Sequence, residues 1–464
     1  MPRKLLLSFL GTNNYLDCNY YIEGQTDHKV KNVKYIQEAI VQLFCHNFKG
    51  QDQVLLFLTE KAEKMNFLDN GQYNKISKQL DLSNVGLNSK LKMLQSEGFK
   101  FQINHKRIKE GFSQDEVWSI FETVADEVQE GDQIIFDITH AFRFLPMLGV
   151  VLLNFLKVTK NITVLGIHYG AFEKLGSIQE VLQMKIEDRD APILDLNTLL
   201  EFQSWTSAVN SFIKFGETKE LSEASQPKIK SIMSKSRGTD LATKDLRYII
   251  DQLAILTSNL QTNRLNVILD QDFTIFKDKL EKLPESDIEV KPFKQILKLI
   301  EKKVTPIITS NDLIWLESSK WCLHHQLVQQ AYTQLQEGLL THSMQLFEKE
   351  INSNNELSTL FIKYAFPTSP ERGNISHRLF FSSLLNFIYK TSQNMINEND
   401  EDGFIEISKV LQSDFFKSLG TTYAYITEPR NDINHAGIRN DPMKFPALQK
   451  RIGELIKQVE TLLV

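Results

Sequence analysis

At 464 residues, with 42% hydrophobic and 24% charged side chains, the chain has the composition of a globular protein of two or three domains. Its 30 Phe against 20 Gly and 12 Pro exclude a disordered or fibrous protein. A formal net charge of −5 and a pI near 6.1 exclude a generally basic surface, so a nucleic-acid site has to be a local feature.

The start, Arg3-Lys4 before Leu5 to Leu10, imitates a signal peptide, but its apolar run is short, holds Ser8 and meets no small-residue cleavage site. It reads as a first β-strand. Further β-rich runs follow at Val54 to Thr59, Phe99 to Ile103, Gln133 to Ile138 and Ile162 to His168. Helical patterns lie between them at Val33 to Phe48, at Gln114 to Gln129, opened by a Ser113/Glu116 capping pair, and at Pro146 to Lys157. This alternation predicts a Rossmann-like α/β domain with a mainly parallel sheet. The apolar tract Leu145 to Val158 is too short and too interrupted to span a bilayer, and no membrane partner is expected. Cys18, Cys45 and Cys322 form no Cys-x-x-Cys pair, which reads as reduced thiols in the cytoplasm without a metal framework.

Around Asp188 to Leu196 the sustained β-branched runs end, and from there Leu, Ile and Phe recur at helical spacing. An all-α remainder follows, with breaks expected near Gly216 and at Ser225 to Thr243, Leu283 to Lys291, Thr305 to Asn311 and Phe366 to Gly373. The basic run from Pro227 to Lys244 reads as a solvated loop, as does the acidic stretch Asn397 to Asp402. Trp315, Trp321, Phe347 and Phe361 read as core or dimer-interface packing rather than base-stacking residues, and His324, His325 and His342 as packing or surface residues. The expected division is an α/β domain at 1–188, a helical connecting region at 189–320 and a helical carboxy-terminal domain at 321–464.

Two segments carry polar side chains where an α/β sheet gathers ligands. The first strand runs into Gly11-Thr12-Asn13-Asn14-Tyr15, and the fourth of those runs ends in Asp137-Ile138-Thr139-His140-Ala141-Phe142-Arg143 before Pro146 opens a helix. A strand-to-helix junction offers backbone N–H groups and a helix dipole to an anion, with Arg143 adding charge and His140 a donor. The chain has no G-x-G-x-x-G and no Walker lysine, which disfavours a redox dinucleotide or nucleoside triphosphate hydrolysis. The bland alternative makes Asp137 a strand-end cap, His140 a turn residue and Arg143 a salt-bridge partner.

Near the end, Glu428-Pro429-Arg430-Asn431-Asp432-Ile433-Asn434-His435-Ala436-Gly437 reads as a short, sharply bounded helix with Pro429 in its first turn. Histidine can move a proton near neutral pH and arginine holds charge on a phosphate, so Arg430 and His435 suit metal-independent RNA cleavage. Five helical residues rotate by about 140°, so the two do not share a face. The same Arg-x4-His spacing recurs at Arg372 and His377, which stand as a decoy or reserve pair.

The two amino-terminal segments resemble the signature of CARF domains, the ligand-sensing modules of type III CRISPR accessory proteins. Arg430 to His435 resembles the R-x4-6-H motif of HEPN ribonucleases. In this order the chain resembles the CARF–HEPN ribonucleases, with the match weakest over about 190 to 320. The resemblance implies an allosteric activator, cyclic tetra-adenylate or cyclic hexa-adenylate, contacted by Thr12, Asn13, Asn14, Asp137, Thr139, His140 and Arg143, and no cofactor. It implies a homodimer or higher oligomer with a composite site of Arg430, Asn431 and His435 that cuts single-stranded RNA to a 2′,3′-cyclic phosphate. It further implies a functional link to a type III CRISPR effector complex. The competing expectation is a ligand-responsive DNA-binding regulator using the 228 to 244 region, although no winged hairpin is evident after residue 190. A subsidiary one is that the sensing domain cleaves its own activator.

Overall fold

The computed structural model describes residues 2–70, 73–74, 79–80, 84–140, 144–285, 293–365, 373–395, 402–411, 413–438 and 441–463. The chain divides into two compact units, Met1–Glu201 and Phe202–Val464.

The first unit is an α/β layer structure. Its strands are β1 (Lys4–Leu10), β2 (Cys18–Ile22), β3 (Lys29–Val33), β4 (Gln53–Leu58), a small ladder of β5 (Tyr73–Asn74) and β6 (Gln79–Leu80), β7 (Gln102–Arg107), β8 (Gln133–Asp137), β9 (Thr163–Gly170) and β10 (Asp190–Asp195). Its helices are α1 (Ile36–Phe44), α2 (Glu60–Ala62), which runs into a π-helical turn at Glu63–Phe67, α3 (Leu87–Ser96), α4 (Gln114–Glu127), α5 (Leu145–Lys160) and α6 (Ile178–Gln183). The main sheet has the order β3-β2-β10-β9-β8-β1-β4-β7. From β9 to β7 all pairings are parallel, while β10 runs antiparallel to β9 and β3 antiparallel to β2.

Alternation along β1 builds the layers. Leu5, Leu7 and Phe9 join Ile120, Phe121 and Val124 of α4 and Leu152, Leu153 and Leu156 of α5 in one core. Leu6 and Leu10 face the other way, into a core with Ile36, Ile40, Leu87 and Leu91. A strand buried on both faces reads as a continuous apolar run, which is why β1 was legible at its observed bounds. Helix α4 starts at the expected Ser113, whose Oγ accepts from Glu116 N at 3.2 Å, but Glu116 Oε2 reaches past the N-cap to accept from Phe112 N at 2.9 Å, so the capping box is not closed on Ser113.

Besides the small β5–β6 ladder, three strands of the main sheet were not expected. β2, β3 and β10 extend the sheet beyond β9, where the antiparallel turn breaks the parallel alternation, and Pro192 makes β10 a poor strand by propensity. β7 lies three residues later than expected because an edge strand, paired on one side only, tolerates the polar Gln-Ile-Asn-His-Lys-Arg.

The second unit is helical throughout its described residues. It comprises the end of α7 (Asn197–Phe215), α8 (Lys219–Lys235), α9 (Leu241–Gln261), α10 (Leu265–Leu269), α11 (Thr274–Lys282), α12 (Phe293–Ile308), α13 (Ile314–His324), α14 (Val328–Ser353), α15 (Asn355–Ala365), α16 (Gly373–Ser392), α17 (Asp402–Val410), α18 (Asp414–Asn434) and α19 (Phe445–Leu463). One core takes Phe212, Leu253 and Phe276 together with Trp315, Tyr332, Phe347, Leu419 and Ile452, so helices on both sides of residue 320 contribute to it. Trp315, Trp321, Phe347 and Phe361 are buried, as the sequence led us to expect.

Prolines misled the sequence reading three times. Pro227 lies inside α8 and Pro306 inside α12, so the basic run to Lys235 is a helix rather than a loop, and the break expected from Thr305 falls after Ile308. Pro429 lies inside α18, so the segment from Glu428 is the end of a 21-residue helix rather than a short one. Proline cannot donate to the carbonyl four residues back. At Tyr425 that carbonyl is met by Arg451 Nη2 at 3.4 Å, a tertiary contact that no local rule anticipates. The expected break at Phe366 to Gly373 and the acidic stretch from Asn397 lie outside the described residues, except that Gly373 opens α16 and Asp402 opens α17. Among the described residues no helix is long and apolar enough to cross a membrane.

Candidate functional site

The sheet changes its winding between β1 and β8: β4 and β7 lie on one side of that pair and β9 on the other. Open α/β sheets leave a crevice at such a point, beyond the carboxyl ends of the strands. Here that crevice is a cavity of about 230 Å³, lined by Gly11, Thr12, Asn13 and Tyr15 after β1, by Thr139 and His140 after β8, and by Thr59 and Ile108 beside them.

A buried polar chain holds both loops. Asp137 is fully buried; its Oδ2 accepts from Ser8 Oγ at 2.7 Å and its Oδ1 from Thr139 N at 3.0 Å. Ser8 Oγ in turn accepts from Gln37 Nε2 at 2.9 Å, and Thr139 Oγ1 accepts from Gly170 N at 2.8 Å. Burial pushes the Asp137 carboxyl above the ordinary carboxylate range, against the pull of the Thr139 and Ser8 hydrogen bonds.

The Gly11 loop is pinned from beneath by Asn66, fully buried in the π-helical turn, whose Nδ2 donates to Gly11 O at 2.8 Å and to Asn13 O at 2.9 Å. Tyr15 folds back so that its hydroxyl accepts from Gly11 N at 3.0 Å. A side chain on Gly11 would meet that hydroxyl at 2.7 Å and would have to push it off the Gly11 N–H. The Tyr15 ring packs on His140 with centroids 4.3 Å apart. Burial lowers the His140 imidazole to about 4, leaving a neutral ring at pH 7 with one donor and one acceptor.

The residues expected to contact a ligand thus divide. Thr12, Asn13, Thr139 and His140 line the cavity; Asn14 is exposed and is not among the lining residues; Asp137 is sealed beneath the loop it shapes; Arg143 lies outside the described residues. Asn66, Gln37 and Ser8 were missed, because a lone Asn or Gln in a helical segment carries no motif.

In the second unit Arg430 and Asn431 occupy the last turn of α18 and His435 is its C-cap. Ala436 and Gly437 follow with φ of 56° and 66°, a left-handed turn that ends the helix. The Gly437 N–H closes this turn on Asp432 O at 2.9 Å, and the buried Asp432 carboxylate accepts from Met443 N at 2.8 Å, tying down the chain beyond. Arg430 Nη1 donates to Asn431 Oδ1 at 3.4 Å; with the Asn434 amide turned to place its oxygen toward the guanidinium, Arg430 Nε donates to it at 3.0 Å. His435 and Asn431 are exposed and Arg430 is half-buried. His377 is half-buried in α16; Arg372 lies outside the described residues. Among the described residues no cluster of three His, Cys, Asp or Glu is placed to hold a metal ion.

Residues 5–173 match the family model for the CARF domain of the CRISPR system endoribonuclease Csx1. The CRISPR-associated protein MJ1674 of Methanocaldococcus jannaschii is 31% identical over 193 residues, covering 40% of this chain. The match spans only 29% of that protein's length. The match to the Csx1 CARF model takes in both loops of the cavity at the winding change, and with this relative it gives the chain a CARF domain of the kind found in CRISPR-associated proteins.

Proposed function

We propose that the chain is a ribonuclease switched on by a cyclic oligoadenylate, with the CARF unit as sensor and the helical unit, resembling HEPN, as nuclease. The observation that carries the reading is a half-buried arginine and an exposed histidine at the capped end of α18, in a helical unit joined in one chain to a CARF domain.

CARF domains of type III systems bind cyclic oligoadenylates, and the β1–β8 crevice suits one chemically. Thr12, Asn13 and Thr139 supply hydrogen bonds, and neutral His140 adds a donor without repelling adenine. Arg143 completes the set as the charge for a phosphate.

Within one subunit no hydrogen bond among the described residues joins Arg430 to His435, which suits a site completed by a second copy across a two-fold axis. There the 2′-hydroxyl attacks the neighbouring phosphorus while its proton passes to a base, the bond to the 5′-oxygen breaks, and that oxygen takes a proton. His435 serves the proton transfers, Arg430 holds the charge gathering on the phosphoryl oxygens, and Asn431 orients the guanidinium. The products are a 2′,3′-cyclic phosphate and a 5′-hydroxyl, with no metal taking part. The buried thiols of Cys18, Cys45 and Cys322 suit a reducing cytoplasm, and the setting is accessory to a type III effector complex.

The test is cleavage of a fluorogenic single-stranded RNA in EDTA, with and without cyclic tetra-adenylate or hexa-adenylate. Activator-dependent cleavage leaving cyclic phosphate ends is expected; no cleavage with either ring hands the chain to a binding-only regulator, which a gel shift on DNA then examines. Assaying the activator in the same reactions tests the companion proposal that the CARF unit cleaves the ring, and intact activator dismisses it.

A further inference from the structure

The second unit has a cavity of about 470 Å³ that the chemistry above does not use, walled by α12, α13 and the end of α7. Its volume falls in the range of small-molecule sites, about 300–1,000 Å³. The floor is apolar, from Ile213, Leu299, Pro306 and Ile307, and the rim carries Lys302, Lys303, Lys320 and His324 with one carboxylate, Glu317. Lys320 is already matched by Glu317 and Glu460. Among the described residues no carboxylate pairs with Lys302 or Lys303. Lys303 sits over the Trp321 indole, 4.9 Å from its centre, and its half-burial lowers its pKa, so it is a partly desolvated cation without a counter-ion. Pro306 also withholds the usual helical donor from the Lys302 carbonyl, leaving an acceptor in the wall.

An apolar floor edged by an aromatic ring and unmatched lysines is what a nucleobase with its phosphate requires. The cavity also lies near the α18 end. His324 on its rim is five residues from Gln329, a span of at most about 18 Å, and the Gln329 side chain meets that of Asn434, beside Arg430, at 3.3 Å. We infer that this cavity is a substrate subsite that grips single-stranded RNA a few nucleotides from the cut, the base on the Leu299–Pro306 floor and the phosphate on Lys302 and Lys303. The subsite rests on the ribonuclease reading above.

The test measures binding of labelled single-stranded RNA of roughly 15 nucleotides to the full chain carrying His435→Ala, which stops turnover. Adding Lys302→Ala with Lys303→Ala should weaken binding about tenfold and shrink the salt slope by about 1.4, two phosphate contacts at about 0.7 each for a single strand. Lys302→Arg with Lys303→Arg should restore both. A short oligonucleotide spanning only the cut should be indifferent to all four changes. Unchanged affinity and slope in the alanine pair, while chains with native His435 still cleave, would overturn the subsite and leave the ribonuclease reading intact. Neither binding nor cleavage would overturn both. Free adenosine monophosphate displacing the RNA at equal concentration would also overturn it, since the occupant would then be a nucleotide rather than a strand.

Discussion

Asn66→Ala tests how the CARF crevice is built. The wild-type amide makes two hydrogen bonds, to Gly11 O and Asn13 O, from a site with no exposure, and alanine leaves both carbonyls without that donor. At about 1 kcal/mol net per bond, the loop loses roughly 2 kcal/mol of preference for its observed shape. The loop tip at Asn13 and Asn14 is exposed, so the loss falls on loop order rather than on the core. Ordering must then come from the proposed activator, and 2 kcal/mol at about 1.4 kcal/mol per decade would weaken its affinity about 30-fold. Calorimetric titration of wild type and variant with cyclic tetra-adenylate and hexa-adenylate reads this directly. A melting scan separates the alternative: if the whole loss fell on global stability of this unit, the midpoint would drop by about 4–8 °C with affinity unchanged. An activator affinity within twofold of wild type refutes the assignment of Asn66 as the residue that positions the loop.

Two substitutions predict opposite pH behaviour. The Asp137 carboxyl is raised by burial, so its stabilisation is complete below the unfolded carboxylate range and is lost as pH rises through its folded value. Asp137→Asn escapes that loss, and its melting midpoint should gain on wild type as pH increases; a pH-independent difference contradicts this. Burial lowers His168 to about 4, so its contribution is present above pH 6.5 and is lost as pH falls toward 4, by roughly 3 kcal/mol at most. His168→Phe keeps the stack on Phe44 and should flatten the acid limb of the stability profile; an unaltered acid limb contradicts the assignment. Asp432→Ala leaves the Met443 N–H without its acceptor and should cost about 1–3 kcal/mol in denaturant unfolding, with RNA cleavage reduced and Asp432→Asn restoring most of both. Wild-type behaviour of the alanine variant would show that this tie does not hold the α18 end.

The sequence was most legible where one physical demand dominated. β1 and β8, buried on both faces, announce themselves as apolar runs, and the polar residues at their ends mark the crevice in the sequence itself. Strands β2, β3 and β10 stayed hidden because their pairing partners are remote or antiparallel and their composition is mixed. Pro227, Pro306 and Pro429 were read as punctuation, yet each lies inside a helix, and at Pro429 the stranded carbonyl finds Arg451, which lies 26 residues beyond it in the chain. The same distinction runs through the site. Thr139 and His140 stand at a strand end where function is expected, whereas Asn66 acts through two carbonyls it meets only in the folded chain.

The central claim is that Arg430 and His435 are the working groups of an activator-gated ribonuclease. Its most direct test is single-stranded RNA cleavage in EDTA with saturating activator, comparing wild type, Arg430→Ala with His435→Ala, and Arg372→Ala with His377→Ala. Cleavage lost in the first pair and kept in the second, with both variants folded and still binding activator, is the predicted result. Cleavage that survives Arg430→Ala with His435→Ala and disappears with Arg372→Ala and His377→Ala would contradict it and move the active site to the start of α16.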